Sequence, residues 1–162
     1  MTGEGHADLE RAVTIALAGP LGERRARRGS SPGWHRARTR PELIAHHEGA
    51  HAVVSHQMGK PVRFLSVIPT GVSLGVCVCG GEDLSASAIA EIRARPSATD
   101  EDFALELSRG LPGPRWRNLR RLYRQTLAIL ESRWPAVIEL AERLQARGEL
   151  YGSEITEILS IY

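Results

Sequence analysis

The chain has 162 residues and a formal net charge of +2, with 42% hydrophobic and 25% charged residues. This length suits one domain with a substantial core, and the composition is typical of a soluble globular protein. The small net charge argues against a protein that is basic enough overall to bind nucleic acid. No apolar run approaches the roughly 20 residues of a membrane span, and residues 1–10 lack the apolar part of a signal peptide. We therefore expect a cytoplasmic protein with no membrane segment.

The first 40 residues predict a helix and a basic linker. Apolar residues recur at helical spacing over Asp8–Arg28, and Gly19-Pro20 predicts a bend or a restart within that helix. The stretch Arg24–Arg40 is rich in arginine, glycine, serine and proline, as in an exposed linker. We predict that residues 1–40 pack on, or are tethered to, a domain formed by residues 41–162.

A second helix and a β-hairpin follow. Thr39 and Glu42 form a capping box with Pro41 in the first turn, and Gly59 ends the helix. The apolar runs Val62–Pro69 and Val72–Cys79, separated by Thr70-Gly71, predict the hairpin.

The rest of the chain predicts helices. They cover Ser85–Arg95, Thr99 to just before Gly110, Pro114–Arg133, Pro135–Arg147 with Gly148 as its stop, and a last helix capped by Ser153. The predicted fold class is α+β and mostly α-helical: a helix, a small β-hairpin or sheet, and a C-terminal helical bundle.

The second predicted helix contains an HExxH motif, His47-Glu48-Gly49-Ala50-His51. Histidines four residues apart share a helix face, so both imidazoles can bind one tetrahedral zinc ion. Glu48 then lies near the open position of the ion and can act as the base for its water. We predict His47 and His51 as zinc ligands and Glu48 as the catalytic residue. The alternative is an amphipathic helix whose histidines match the motif by chance.

A catalytic zinc site needs a third protein ligand. His46 and His56 lie off the face of the motif and are interpreted as non-ligands, and residues 54–58 do not supply the HExxHxxGxxH pattern. The third ligand must come from elsewhere in the chain, and a carboxylate fits best. Cys77 and Cys79, two apart on a predicted strand, are poor disulfide partners and are interpreted as reduced, mostly structural thiols.

Four segments together resemble the peptidase domain of the FtsH-type zinc metalloproteases. That family has an HEAGH helix, a strand ending in an Ile-Pro-x-Gly turn, and then Leu-Gly. The similar segments are Glu42–Val54, Val62–Gly71 and Leu74-Gly75, and Gly148–Leu159 is similar to the closing segment of the family. The resemblance covers about residues 41–162 and implies a zinc-dependent endopeptidase.

The resemblance also implies which carboxylate completes the site. The family has an aspartate in an Ala-Ser-Asn-Asp-like helix start, and Ala98-Thr99-Asp100 followed by Ala104 is the best match. Asp100 is therefore the predicted third ligand, although an acidic residue also simply favours a helix N-terminus. Asp102 is explained as the capping-box partner of Thr99.

The order of one segment departs from the family. Its Leu-Ala-Gly-x-x-Ala-Glu helix follows the strands, whereas the similar stretch Ala16–Glu23 precedes the HExxH motif here. The neighbouring Asp8–Ala12 also resembles the aspartate motif, which makes Asp8 the alternative third ligand. A rearranged order could preserve the packing, or it could mark a decayed copy.

The predicted substrate is a polypeptide. FtsH proteins carry an ATPase module, but this chain has no GxxxxGK[ST] phosphate loop. We expect ATP-independent cleavage of unfolded or flexible proteins, by the chain alone, with a separate ATPase, or after self-association. The substrate is expected to lie extended against the exposed edge of the hairpin, along Val62–Ile68.

The alternative hypothesis is a catalytically weak or inactive module that binds a protein or a nucleic acid. Arginines in Arg24–Arg40 could hold phosphates, but aromatic residues other than Trp34 are lacking there, so a nucleic acid is not the expected partner. The intact Glu48 favours the enzyme. A protease that cleaves a gene repressor would share this chemistry, and the sequence does not separate the two.

Overall fold

The computed structural model of the protein describes residues 3–28, 41–70, 73–80, 90 and 99–162. Its helices are α1 Gly3–Arg28, α2 Pro41–Gln57, α3 Asp100–Leu107, α4 Arg115–Ser132, α5 Trp134–Arg147 and α6 Gly152–Ile161, with a 3-10 turn at Ser108–Gly110. Its strands are β1 Val62–Ser66, β2 Val76–Cys79 and β3 Glu149–Tyr151. The predicted α+β, mostly helical class is confirmed.

Helix α2, which carries the HExxH motif, is packed on both sides by other helices. A Cβ added to Gly49 would lie 3.3 Å from the carbonyl oxygen of Val137 in α5. A Cβ added to Gly22 of α1 would press against the side chain of Ala50 and lie 3.1 Å from the carbonyl oxygen of His46. Small residues therefore let α1 and α5 approach α2 closely, which holds the motif helix in the protein interior.

The three strands form one antiparallel sheet in the order β2-β1-β3. The predicted β1–β2 hairpin is confirmed, but both strands are shorter than predicted, and the chain between them is longer than a two-residue turn. Strand β3, which the sequence analysis missed, pairs with the other side of β1. The expectation that the substrate lies along β1 is therefore wrong, because the backbone of β1 is already paired on both sides.

The N-terminal segment differs from its prediction at two points. Helix α1 continues through Pro20, so the helix does not restart there. Arg24–Arg28, predicted as linker, are helical: Arg24 pairs with Glu101 at 3.0 Å, and the Arg25 guanidinium lies 4.7 Å from the ring centre of Trp134. These contacts with other elements explain why the helix extends into a basic, weakly apolar sequence. Residues 29–40, including Thr39 of the predicted capping box, lie outside the described residues.

The C-terminal helices agree with prediction except at two places. The Thr99 hydroxyl accepts a hydrogen bond from the Asp102 amide at 3.2 Å, which confirms this helix start. Gly148, with φ of 80°, ends α5 as predicted. Ser153 is not the cap of the last helix: Tyr151 holds that position, because β3 leads directly into the helix at Gly152. The predicted helix Ser85–Arg95 lies outside the described residues, apart from helical Ala90.

Candidate metal centre

Three predicted residues from two helices meet at one point. His47 and His51 come from α2, and Asp100 is the first residue of α3. The two Nε2 atoms lie 3.2 Å apart, and Asp100 Oδ2 lies 2.7 Å from Nε2 of His47 and 3.2 Å from Nε2 of His51. One ligand atom from each residue lies within 4.8 Å of the other two. This group could therefore hold a metal ion.

The spacing of these atoms fits zinc. Ligand atoms about 2.0–2.1 Å from a tetrahedral ion lie roughly 3.3–3.4 Å from one another. Two of the three separations match this value within a few tenths of an ångström, and the 2.7 Å between His47 and Asp100 needs to open by about 0.6–0.7 Å. Two imidazoles and one carboxylate, with one position left for water, are the ligand set of a catalytic zinc site.

Helix α1 leaves room for the ion only because residue 19 is glycine. A Cβ added to Gly19 would lie 2.7 Å from Cδ2 of His47, and closer still to the Nε2 atoms of His47 and His51. Such a carbon would occupy the space next to both ligand nitrogens, where an ion would be bound. The absent side chain therefore creates the space for a metal.

Helix α1 also orients both imidazole rings. The Nδ1–H of His51 donates to the carbonyl oxygen of Ile15 at 2.8 Å, and Nδ1 of His47 lies 3.4 Å from Oε2 of Glu23. Each contact holds a proton on Nδ1 and directs Nε2 toward the shared point. The sequence analysis did not assign these acceptors, since one is a backbone carbonyl and both lie far away along the chain. For Glu23, the one indication in the sequence was its place in the Ala16–Glu23 stretch, which resembles a segment of the family.

The charges of the three residues are strongly coupled. Burial disfavours the charged form of His47, but hydrogen bonds with Asp100 and Glu23 outweigh it and raise the pKa of His47 to about 10. His51 behaves likewise: burial opposes protonation, and the hydrogen bond with Asp100 raises its pKa. Burial would raise the pKa of Asp100, but its hydrogen bonds with both histidines hold that pKa well below the usual range. A bound cation would replace the imidazole protons, whose positive charge otherwise offsets the negative charge of Asp100.

Glu48 lies beside this group and is almost entirely buried, with 6% of its surface exposed. Burial raises the pKa of Glu48, while the neighbouring His51 and His47 lower it. A Cβ added to Gly75, just before β2, would lie 2.5 Å from Oε1 of Glu48 and 2.7 Å from Cγ2 of Ile44. The backbone before β2 therefore passes directly over the Glu48 carboxyl group.

The other candidate residues lie away from the three ligand atoms. Asp8, the alternative third ligand, pairs with Arg11 at 3.1 Å, and its side chain is 62% exposed. Nδ1 of His46 bonds with the carbonyl oxygen of Glu42 at 2.7 Å, and the imidazole stacks on Trp134. His56 is exposed near the end of α2. Among the described residues, the only metal-holding group of three or more is His47, His51 and Asp100.

An open cleft of about 1190 Å³ leads to this group. Elements α1, α2, α3 and β2 and the chain before β2 supply its walls. Phe103 and Leu74 lie in its lining with 52% and 43% of their surfaces exposed. The cleft is large enough for several residues of a peptide and offers both apolar and charged contacts.

The thiols of Cys77 and Cys79 line the same cleft and are not in a disulfide. The hydrogen bond between the two thiols, together with burial, raises the pKa of Cys77 well above its usual value. The same hydrogen bond lowers the pKa of Cys79 to about 6, with contributions from Ser55, His51 and Lys60, although burial opposes this. The structure therefore puts these cysteines in the site region, in addition to any packing role.

A scan against protein-family models and a search of curated proteins each found no match for this chain. No helix in the described part of the chain is long and apolar enough to cross a membrane.

Proposed function

We propose that this protein is a zinc-dependent endopeptidase. The observation that carries the proposal is the meeting of His47, His51 and Asp100 at near-tetrahedral spacing, with the buried Glu48 carboxyl group beside them. The resemblance to FtsH-type peptidases adds to this, because its HExxH helix and its aspartate are the elements that the fold brings together. The packing of helix α1 against the motif helix also supports a working site, since Ile15 and Glu23 of α1 supply the acceptors for both imidazoles.

The chemistry divides between the ion and the side chains. Bound zinc would lower the pKa of water and polarise the scissile carbonyl group. Glu48 takes the proton from the attacking water and gives it to the leaving amine. Its burial supports both steps, because a carboxyl group with a raised pKa is a better proton acceptor and still releases the proton later. Ile15 and Glu23 hold the imidazoles in place during the reaction.

The substrate we propose is an extended segment of an unfolded or flexible protein. In the described part of the chain, β2 pairs with β1 alone, so its other edge can accept an added strand. This edge adjoins Gly75, which lies against Glu48, so a peptide added there passes close to the reactive groups. The exposed Phe103 and Leu74 would contact its apolar side chains.

The activity proposed is independent of ATP in itself, since the sequence has no phosphate-binding loop. A separate ATPase or self-association would extend it to folded substrates. The alternative, a weak or inactive module that binds a protein, shares the fold and the ligand group. It differs in one measurable property, which is turnover that depends on Glu48.

The test is zinc content together with cleavage of unfolded casein by the wild type and by Glu48→Gln. We expect one zinc per chain in both proteins and a loss of cleavage of roughly 10²–10⁴-fold in the variant. Zinc binding without any cleavage by the wild type would favour the binding module. A protein that purifies without zinc, and takes up none on addition, would overturn the proposal.

A further inference from the structure

The two cysteines of β2 face helix α2. Cys77 pairs with Leu65 across the sheet, and Cys79 pairs with Val62. Leu65 and Val62 are both buried in the core that α2 helps to form. Residues two apart on a strand point to the same face, so both thiols lie between the sheet and the motif helix. Both cysteines also line the same cleft, so the two thiols share one environment.

A buried hydroxyl group points into the same place. Ser55 lies on α2, one turn after His51, and none of its surface is exposed. Its Oγ makes no hydrogen bond of ordinary length with any described residue. The hydroxyl lies beside Cys79, and hydrogen bonding from Ser55 lowers the pKa of that thiol. A thiolate is a stronger acceptor than a thiol, so Ser55 is placed to stabilise a charged sulfur at Cys79.

We propose that Cys77 and Cys79 form a second metal site, which binds one soft monovalent cation, Cu(I), beside the zinc site. The two sulfur atoms bind the ion directly, and their protons leave to solvent as the bonds form. The Ser55 hydroxyl donates a hydrogen bond to the Cys79 thiolate in the loaded site.

The spacing of the cysteines favours a bridging ion over a disulfide. Residues two apart on a strand have Cα atoms about 6.6–6.8 Å apart, the upper limit for a disulfide. Two sulfur atoms each about 2.3 Å from one ion lie roughly 3.8–4.6 Å apart, close to the separation of hydrogen-bonded thiols. Thiolates bind both Cu(I) and zinc, but zinc sites take four ligands and these two cysteines supply only two, which suffice for Cu(I).

The surroundings tolerate the charge of the loaded site. Two thiolates and one Cu(I) carry a net charge of −1, which the Lys60 ammonium group, in the lining of the same cleft, offsets. The cleft gives the ion a path from solvent, because Cys77 and Cys79 both line it and are partly exposed.

The test is an anaerobic titration of the zinc-loaded protein with Cu(I), in competition with a chromophoric Cu(I) chelator. The wild type and Glu48→Gln are expected to bind one Cu(I) per chain and to keep their zinc. Cys77→Ser and Cys79→Ser are expected to lose this binding, and Ser55→Ala to weaken it by about 10-fold. Wild-type binding no tighter than that of the cysteine variants, or copper uptake only with release of zinc, would overturn the proposal.

X-ray absorption of the copper-loaded wild type decides the matter even if a cysteine variant does not fold. Two sulfur neighbours at about 2.2–2.3 Å are expected, and nitrogen or oxygen neighbours alone would refute the site. Because the thiols line the cleft beside Glu48, Cu(I) should also inhibit cleavage. The zinc-loaded starting state and this inhibition rest on the proposed peptidase function, whereas copper binding to Cys77 and Cys79 is measured equally on the protein without zinc.

Discussion

Replacing Gly19 by alanine should weaken metal binding by His47, His51 and Asp100 while leaving most of the fold in place. The added Cβ would lie 2.7 Å from Cδ2 of His47 and nearer still to the Nε2 atoms of His47 and His51, whereas real Cβ contacts essentially never fall below 3.0 Å. Either α1 moves away by several tenths of an ångström, or the methyl group takes the space of the ion. Both outcomes disturb the ligand geometry, and loss of the support around metal ligands typically costs about 10–100-fold in metal affinity.

The energetic expectation can be worked out from the same contacts. A zinc affinity reduced by about 100-fold corresponds to roughly 2.7 kcal/mol of binding free energy. Alanine is itself favoured over glycine in a helix by about 1 kcal/mol, so helix propensity does not account for any loss. The backbone at Gly19 is helical, so alanine adopts its conformation without strain.

The assay is zinc affinity by competition with a chromophoric chelator, together with thermal unfolding of the metal-free protein. Gly22→Ala is the comparison variant, because its Cβ would press on Ala50 and displace α1 without filling the space beside the two Nε2 atoms. We expect both variants to lower the melting temperature, and Gly19→Ala to lower zinc affinity further than Gly22→Ala. Zinc affinity of Gly19→Ala within about threefold of the wild type would refute the close approach of α1 to the site.

Three further predictions concern the zinc site. Asp100→Asn should lower zinc affinity by more than about 10-fold while Asp8→Asn leaves it unchanged, and equal effects of the two in a competition titration would contradict the assignment. Glu23→Gln should weaken zinc binding by roughly 10–100-fold with little change in unfolding temperature, and unaltered affinity would show that Glu23 does not position His47. The raised pKa of His47, about 10 in the metal-free protein, means that zinc must displace a proton below that pH. Affinity should therefore rise with pH between about pH 6 and pH 9, by about 10-fold per unit for each proton released, and a flat profile would refute this coupling.

Local patterns predicted the features that depend on near neighbours in the chain. The spacing of His47 and His51 places them on one face in any α-helix, and that helix formed where its predicted boundaries put it. The Thr99 cap and the Gly148 stop followed from side-chain and backbone preferences that act within one turn. Helices were predicted more reliably than the lengths of strands, because a helix depends on neighbouring residues whereas a strand depends on the strand it pairs with.

The predictions were wrong where contacts between residues far apart in the chain decide the structure. Helix α1 continues through Pro20 because Ala18 and Leu21, on either side of it, are buried in the core. Beyond them, Arg24 and Arg25 contact Glu101 and Trp134, more than 70 residues away. Strand β3 has only three residues, too few to show an alternation of apolar and polar residues. It forms because β1 has a free edge with which it can pair. Because β3 occupies the edge of β1, a substrate strand would have to add to the edge of β2 instead.

The sequence by itself determined the helix with its two histidines and its glutamate, because the period of an α-helix is a property of the local backbone. The choice of Asp100 came from a resemblance, and the geometry that joins it to the histidines exists only in the tertiary structure. The same is true of the Ile15 carbonyl, Glu23 and the space above Gly19. These groups come from helices distant in the chain, and only the packing of α1 and α3 against α2 sets their distances.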